Sequence, residues 1–266
     1  MEAVMSDAAT LFADGAAYER RMGRWSRVVG ETFLDWLAVA KGLRWLDVGC
    51  GNGAFTEVLI ARCAPAAVSA IDPSEGQLSY ARTRPGAKLA EFSVAHAQEL
   101  PYPDRSFDAA TMALVICFVP DPVKAAAEMT RVVKPGGWVA GYMWDMPGGG
   151  IPIEPMYRAL KSFGIAVSIP GINVSRRDNM RAVWESAGLQ SINTRVIRIP
   201  VFYANFDDFW QSYSVPEGPS GQAMRKMSPS EIERLKVRLR EELPIAADGS
   251  ISYEAFANAV KGRVPN

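Results

Sequence analysis

Short apolar runs alternate with stretches of helical periodicity through the first half of the chain. Trp45, Leu46 and Val48 form one such run with a β-branched end, which predicts a buried strand. Gly49, Gly51 and Gly53 follow at alternate positions, and Phe55, Val58 and Leu59 then recur at helical spacing. A helix is therefore expected to begin directly after the glycines. Further strands are expected at 68–71, 89–95, 107–114 and 138–144, with helical segments between them, which is the order of an α/β fold. Ser74 and Gln77 have capping-box spacing, and Asp121 followed by Pro122 marks another helix start. That second helix is expected to stop at Lys134, Pro135, Gly136 and Gly137.

The flanks are more helical. Tyr18, Met22 and Trp25 share a helical face that Val29, Phe33, Trp36 and Leu37 extend. After a glycine-rich linker at 146–150, a helix is expected at 153–163 and irregular chain at 166–173. Ser175 and Asp178 are spaced to cap a helix carrying Met180, Val183, Trp184 and Ala187, closed by Gly188. Residues 190–201 are β-rich. Asn205 then heads a helix whose Phe206, Phe209, Trp210 and Tyr213 form an aromatic stripe, a pattern more often core than binding wall. Ser228 and Glu231 open a charged helix, and residues 251–260 form the last expected strand. No domain boundary is forced. The chain reads as one domain, 1–266, with a helical leader (1–41), a cofactor-binding core (42–146) and a substrate-side half (147–266) that carries a helical insertion at about 204–249.

Composition narrows the function. Lysine plus arginine and aspartate plus glutamate number 29 each, so no basic excess gathers nucleic acid or an anionic membrane. Cys50, Cys63 and Cys117 lack metal-ligand spacing and read as reduced, buried residues, and no His/Cys/Asp cluster suggests a metal. The amino terminus has no basic-then-apolar pattern, and the longest apolar run, 109–119, is too short to span a bilayer. The expectation is a soluble, cytoplasmic protein with a small-molecule partner, no nucleic acid and no membrane.

A strand that breaks into a glycine turn and then a helix suits a nucleotide-containing cofactor. Glycine lets backbone approach the ligand, and the helix start offers unpaired N–H groups. Gly49, Gly51 and Ala54 also satisfy the loose dinucleotide fingerprint, so the glycines alone leave NAD open. The local form Asp-Val-Gly-Cys-Gly-Asn-Gly at 47–53, however, resembles the first motif of class I S-adenosylmethionine-dependent methyltransferases. Three further blocks follow in register: VSAID at 68–72, AQELPYPDRSFDAA at 97–110 and RVVKPGG at 131–137. They resemble the ubiquinone-biosynthesis-like, or methyltransferase type 11, branch of that family. The resemblance implies a Rossmann-like, doubly wound sheet of seven strands, mostly parallel with an antiparallel last strand. It implies S-adenosyl-L-methionine as cofactor, with S-adenosyl-L-homocysteine as product. Asp47, Gly49, Cys50, Gly51, Gly53, Asp72, Pro73, His96, Ala97, Gln98 and Leu114 fall at its cofactor positions, Asp72 as the carboxylate for the ribose hydroxyls. The segment at 18–27 resembles a leader that folds over the cofactor, which would bring Tyr18 and Arg24 to its amino-acid end.

One departure stands out. The family's Gly-Asp-Ala-Glu after the third strand is Ala95-His96-Ala97-Gln98 here, so the acid for the adenine amino group is replaced by the chain's only histidine. Neutral imidazole can also accept one hydrogen bond. No catalytic base is evident; Asp145 and Tyr18 are the candidates by position. The expected function is methyl transfer to a small, apolar or aromatic molecule. The alternatives are a non-catalytic S-adenosylmethionine or S-adenosylhomocysteine sensor and an NAD-dependent dehydrogenase.

Overall fold

The computed structural model describes residues 19–167, 169, 171–214 and 219–266. Seven strands form one sheet in the order β3-β2-β1-β4-β5-β7-β6. Strands β1 (Arg44–Val48), β2 (Ala67–Asp72), β3 (Ala90–Val94), β4 (Phe107–Ala113) and β5 (Val133–Trp144) pair in parallel. Strand β7 (Ile251–Arg263) lies antiparallel between β5 and β6 (Gln190–Tyr203). A π-helical turn, Glu19–Gly23, leads into α1 (Arg24–Leu37). The remaining helices are α2 (Ala54–Cys63), α3 (Glu75–Ala81), α4 (Pro122–Val132), α5 (Glu154–Ser162) and α6 (Arg177–Ser186), then α7 (Phe206–Tyr213), α8 (Pro219–Met224) and α9 (Pro229–Glu242).

Successive strand side chains point to opposite faces of a sheet, so β1 feeds two cores. Trp45 joins Val29, Phe33 and Leu37 of α1, Val58 and Leu59 of α2, and Tyr142 and Trp144 of β5. Leu46 and Val48 join Met112, Met129 of α4, and Met180 and Trp184 of α6 on the other side. Helices on both faces make the sheet doubly wound, as expected.

Local signals held where their partners are local. Asp121 Oδ1 accepts from Lys124 N at 2.9 Å, Asn205 Oδ1 from Asp208 N at 2.9 Å, and Ser228 and Glu231 complete a capping box. Two expectations fail. Ser175 does not cap α6, whose N-cap is Arg176; its buried hydroxyl instead donates to Ile172 O and accepts from Met146 N. Nor does a free turn separate α4 from β5. Val133 already pairs with Phe107, and a register shift before the Ala109–Trp138 pair absorbs Lys134–Gly137 within the strand.

The last parallel strand ends at Trp144, which pairs with Ala257. Strands β6 and β7 continue their pairing past that point, to Tyr203 opposite Ile251. At about 3.3 Å per residue this ribbon overhangs the carboxyl edge of the sheet by roughly 20 Å. Ligands of open α/β sheets bind at that edge. Helices α7, α8 and α9 span the tip of the ribbon, between Tyr203 and Ile251. No helix among the described residues is long and apolar enough to cross a membrane.

Candidate cofactor and acceptor site

The chain leaves β1 through Gly49, Gly51 and Gly53, with φ of 73°, 52° and 78°, a region that side-chain-bearing residues rarely adopt. The three glycines are needed for different reasons. A Cβ at Gly49 would lie 2.6 Å from the Val115 methyls, and one at Gly53 would lie 3.0 Å from Ala81 Cβ. At Gly51 the nearest atom would be Gln77 Oε1, at 3.9 Å. Packing explains the outer two, while the middle one has room for a Cβ. Gly49 N and Cys50 N both donate to Ile71 O, at 2.8 and 2.9 Å, and so fasten the turn to the end of β2.

Asp72 terminates β2 beside this space. Its Oδ2 accepts from Gly51 N and its Oδ1 from Ser74 N, each at 2.9 Å. Burial raises its pKa, against the lowering effect of those two bonds and of nearby His96. A carboxylate offers about four lone-pair sites, so each oxygen keeps acceptor capacity for a hydroxyl. Asp47 is fully buried at the end of β1. Thr56 Oγ1 donates to its Oδ2 at 2.6 Å, and its Oδ1 has no partner among the described residues. Burial pushes its carboxyl up to about 7, with the Thr56 bond opposing and the Asp72 charge adding to the rise.

The other expected positions gather around the same edge. Cys50 is buried within the turn, Pro73 is exposed after Asp72, and Leu114 follows β4 with φ of 62° and donates its N–H to Tyr142 O at 2.8 Å. His96 is exposed just past β3 and bridges to Glu99, with Ala97 and Gln98 half-buried between them. Tyr18 lies outside the described residues. Arg24 reaches toward the insertion. Its guanidinium sits 4.4 Å from the Trp25 ring and 4.5 Å from that of Tyr203, with Asp208 at 3.6 Å and Ser212 Oγ at 3.4 Å. Asp145 stands just past the end of β5. Its Oδ1 accepts from Gly148 N at 3.0 Å, which shapes the linker turn.

Three residues at the turn were not singled out from the sequence. Asn52, only 2% exposed, presents its carbonyl to Arg84 Nε at 2.6 Å and its side-chain amide to Glu19 at 3.2 Å. Arg84 also pairs with Glu57 at 3.1 Å and with Glu19. Arg84 and Glu19 stand 32 and 33 positions from Asn52, so no spacing rule could join them. The overhanging ribbon carries Tyr203 and Tyr253. The Tyr203 hydroxyl bonds that of Tyr213, and the Tyr253 hydroxyl donates to Pro152 O at 2.5 Å. Burial raises all three phenols. Among the described residues no group of three His, Cys, Asp or Glu side chains is arranged to hold a metal.

Comparison with known proteins agrees with this geometry. Residues 46–141 match a protein family described as "Methyltransferase domain". Over 106 residues the chain is 40% identical to a demethylmenaquinone methyltransferase of Staphylococcus aureus, a match covering 39% of this chain and 44% of that protein. The match thus spans less than half the length of that curated relative. The fold is similar to the YcgJ protein of Bacillus subtilis, with TM-score 0.58, 17% identity, and 90% and 99% of the two chains covered. It is also similar to the Haemonchus contortus phosphoethanolamine N-methyltransferase 2 crystallised with S-adenosyl-L-methionine, with TM-score 0.55, 18% identity, and 89% and 52% covered. With its glycine turn, the acid ending β2 and the antiparallel β7 all in place, the chain carries a methyltransferase domain over residues 46–141 and is similar there to the S-adenosylmethionine-dependent methyltransferases.

Proposed function

We propose that the protein transfers a methyl group from S-adenosylmethionine to a small, apolar or aromatic molecule. The observation that carries the reading is the left-handed Gly51 turn, with room for a Cβ and its N–H on the Asp72 carboxylate, together with a buried Asp47 whose Oδ1 has no partner among the described residues. A ligand with paired hydroxyls and cationic donors fits that set. Dinucleotide-binding sheets have the order 3-2-1-4-5-6, all parallel, and the antiparallel β7 between β5 and β6 departs from it. The NAD reading loses its footing there.

The cofactor supplies a methyl group already activated on a sulfonium. What the chain contributes is position: Gly49–Gly53 and Asp72 hold one reactant, and the ribbon and insertion enclose the other. Orientation of two reactants can be worth roughly 7–11 kcal/mol, so activity does not require a general base. Trp210, half-buried on α7 beside the overhang, supplies a ring for an apolar acceptor, backed by the buried Tyr203 and Phe206. A relative named for demethylmenaquinone supports a ring-bearing acceptor.

Calorimetry with S-adenosylmethionine and NAD, on the wild type and Asp72→Ala, tests the cofactor. Losing one or two charge-assisted hydrogen bonds, at about 1.5–3 kcal/mol each, weakens binding tenfold to more than a hundredfold. Equal affinity in a folded Asp72→Ala protein sinks the assignment. A panel of phenols, quinols and amines with isotope-labelled cofactor then tests turnover. Binding without methylated product across the panel favours the sensor.

A further inference from the structure

We infer that Glu19 is a positioning residue for the cofactor turn, acting through Asn52 and Arg84. The inference rests on the methyltransferase reading. Asn52 lies between Gly51 and Gly53, both in the left-handed region and both without a side chain to steer them. The conformation of the turn therefore depends on how Asn52 is held.

Three polar groups of Asn52 are engaged. Its Oδ1 accepts from Ala54 N at 3.2 Å, at the first turn of α2. Its carbonyl accepts from Arg84 Nε at 2.6 Å, and its Nδ2 donates to Glu19 Oε2 at 3.2 Å. Glu19 Oε2 also accepts from the Arg84 guanidinium, so one carboxylate oxygen ties together both residues that fix the turn. Arg84 is 7% exposed and packs behind Gly53, its Cδ 3.3 Å from where a Cβ would stand there. Glu57 accepts from Arg84 at 3.1 Å and from Gly86 N at 3.1 Å, while Arg27 lies 3.9 Å from Glu19 and 3.5 Å from Glu57. Two carboxylates and two guanidiniums thus balance in a half-buried cluster.

Glu19 opens the π-helical turn, a local geometry often found at functional sites because it re-aims one side chain. A Cβ at Gly23 would fall 2.5 Å from the Glu19 carboxyl, so the turn folds back closely over this side chain. The carboxylate arrives from outside the glycine motif and is not needed to form the sheet, since strands β1 to β7 and their pairings lie entirely beyond residue 43. A purely structural clamp for the leader would predict no effect on the cofactor turn itself.

The test is a double-mutant cycle read in S-adenosylhomocysteine affinity by calorimetry, with amide hydrogen exchange at residues 51–54 in the ligand-free protein as a second readout. Glu19→Gln removes the charge that holds Arg84 and Asn52. Asn52→Ser keeps an oxygen for the Ala54 N–H. Each single change is expected to weaken binding about tenfold, the size of one charge-assisted hydrogen bond, and to speed exchange at the turn. The double variant is expected to lose less than the sum of the two single losses, because the two changes share the Glu19–Asn52 contact while Glu19 also acts through Arg84. Additive losses overturn the inference, as does Glu19→Gln with unchanged affinity and exchange. Arg84→Lys keeps the charge but loses the Nε bond to the Asn52 carbonyl. It should reproduce both effects if Glu19→Gln disturbs folding, and unchanged affinity and exchange there count equally against the inference. A wild type that fails to bind S-adenosylhomocysteine overturns the methyltransferase reading and this inference with it. A wild type that binds, beside a Glu19→Gln variant that binds as well, overturns this inference alone.

Discussion

Asp47 carries a carboxyl with no exposed atom, one hydrogen bond from Thr56 and one oxygen without a partner among the described residues. Burial raises its pKa from 3.8 to about 7, so the ligand-free folded protein holds this proton more tightly than the unfolded chain does. The stability contributed by the group therefore falls as pH rises from about 4 to about 7 and is flat above. The displacement corresponds to about 4 kcal/mol. Asp47→Asn keeps an oxygen for Thr56 and does not titrate. Its melting temperature should exceed the wild type's by a margin that grows between about pH 4 and 7 and then levels. Its affinity for S-adenosylmethionine should nevertheless fall, because a charged acceptor has become a neutral one. Thermal scans across that range check the first statement; a margin independent of pH refutes it.

The glycine turn is the element on which sequence and structure agree most closely, and its three glycines separate by experiment. Gly51→Ala meets only Gln77 Oε1, at an ordinary contact distance of 3.9 Å, and costs the left-handed backbone strain, about 1–2 kcal/mol. Gly49→Ala adds a contact with the Val115 methyls and should unfold at a distinctly lower temperature. Cofactor affinity should order them differently, with Gly51→Ala losing heavily while still folded. Calorimetric melting and binding on both variants decide it; a Gly51→Ala protein with wild-type affinity removes the cradle. Elements like this are legible because their signals are local: a glycine run, a cap three residues from its helix, a proline at a first turn. Ser175 misled for the converse reason. The spacing to Asp178 is that of a cap, but its hydroxyl is spent on Met146, 29 positions away. The start of β5 was hidden likewise, because its register depends on Phe107 and not on its own residues. Glu19, Asn52 and Arg84 meet across 33 and 65 positions, a distance that no periodicity spans.

At the scale of the whole molecule, the question is whether the insertion between Tyr203 and Ile251 is separable from the core. A detachable lid would keep its apolar residues to itself, and removing it would leave the core intact. The structure shows the opposite. Phe209 and Tyr213 of α7 and Leu235 and Leu239 of α9 are fully buried, in one cluster with Val29, Phe33 and Trp45. The aromatic stripe is therefore mostly core, with only Trp210 half-buried and under Lys236. Each large apolar side chain contributes about 1.5–3 kcal/mol on burial. Four of them approach the entire net stability of a domain, roughly 5–15 kcal/mol. Deleting residues 205–243 behind a short linker should consequently yield a protein without a cooperative melting transition, and not an open methyltransferase. The proposed role of the insertion at the acceptor is better probed from its surface, by Trp210→Ala, which leaves the four buried residues in place. That variant should melt near the wild type and bind the cofactor normally while methylating ring-bearing acceptors more slowly. A deletion protein that melts cooperatively near the wild-type temperature would show that the insertion is a lid after all.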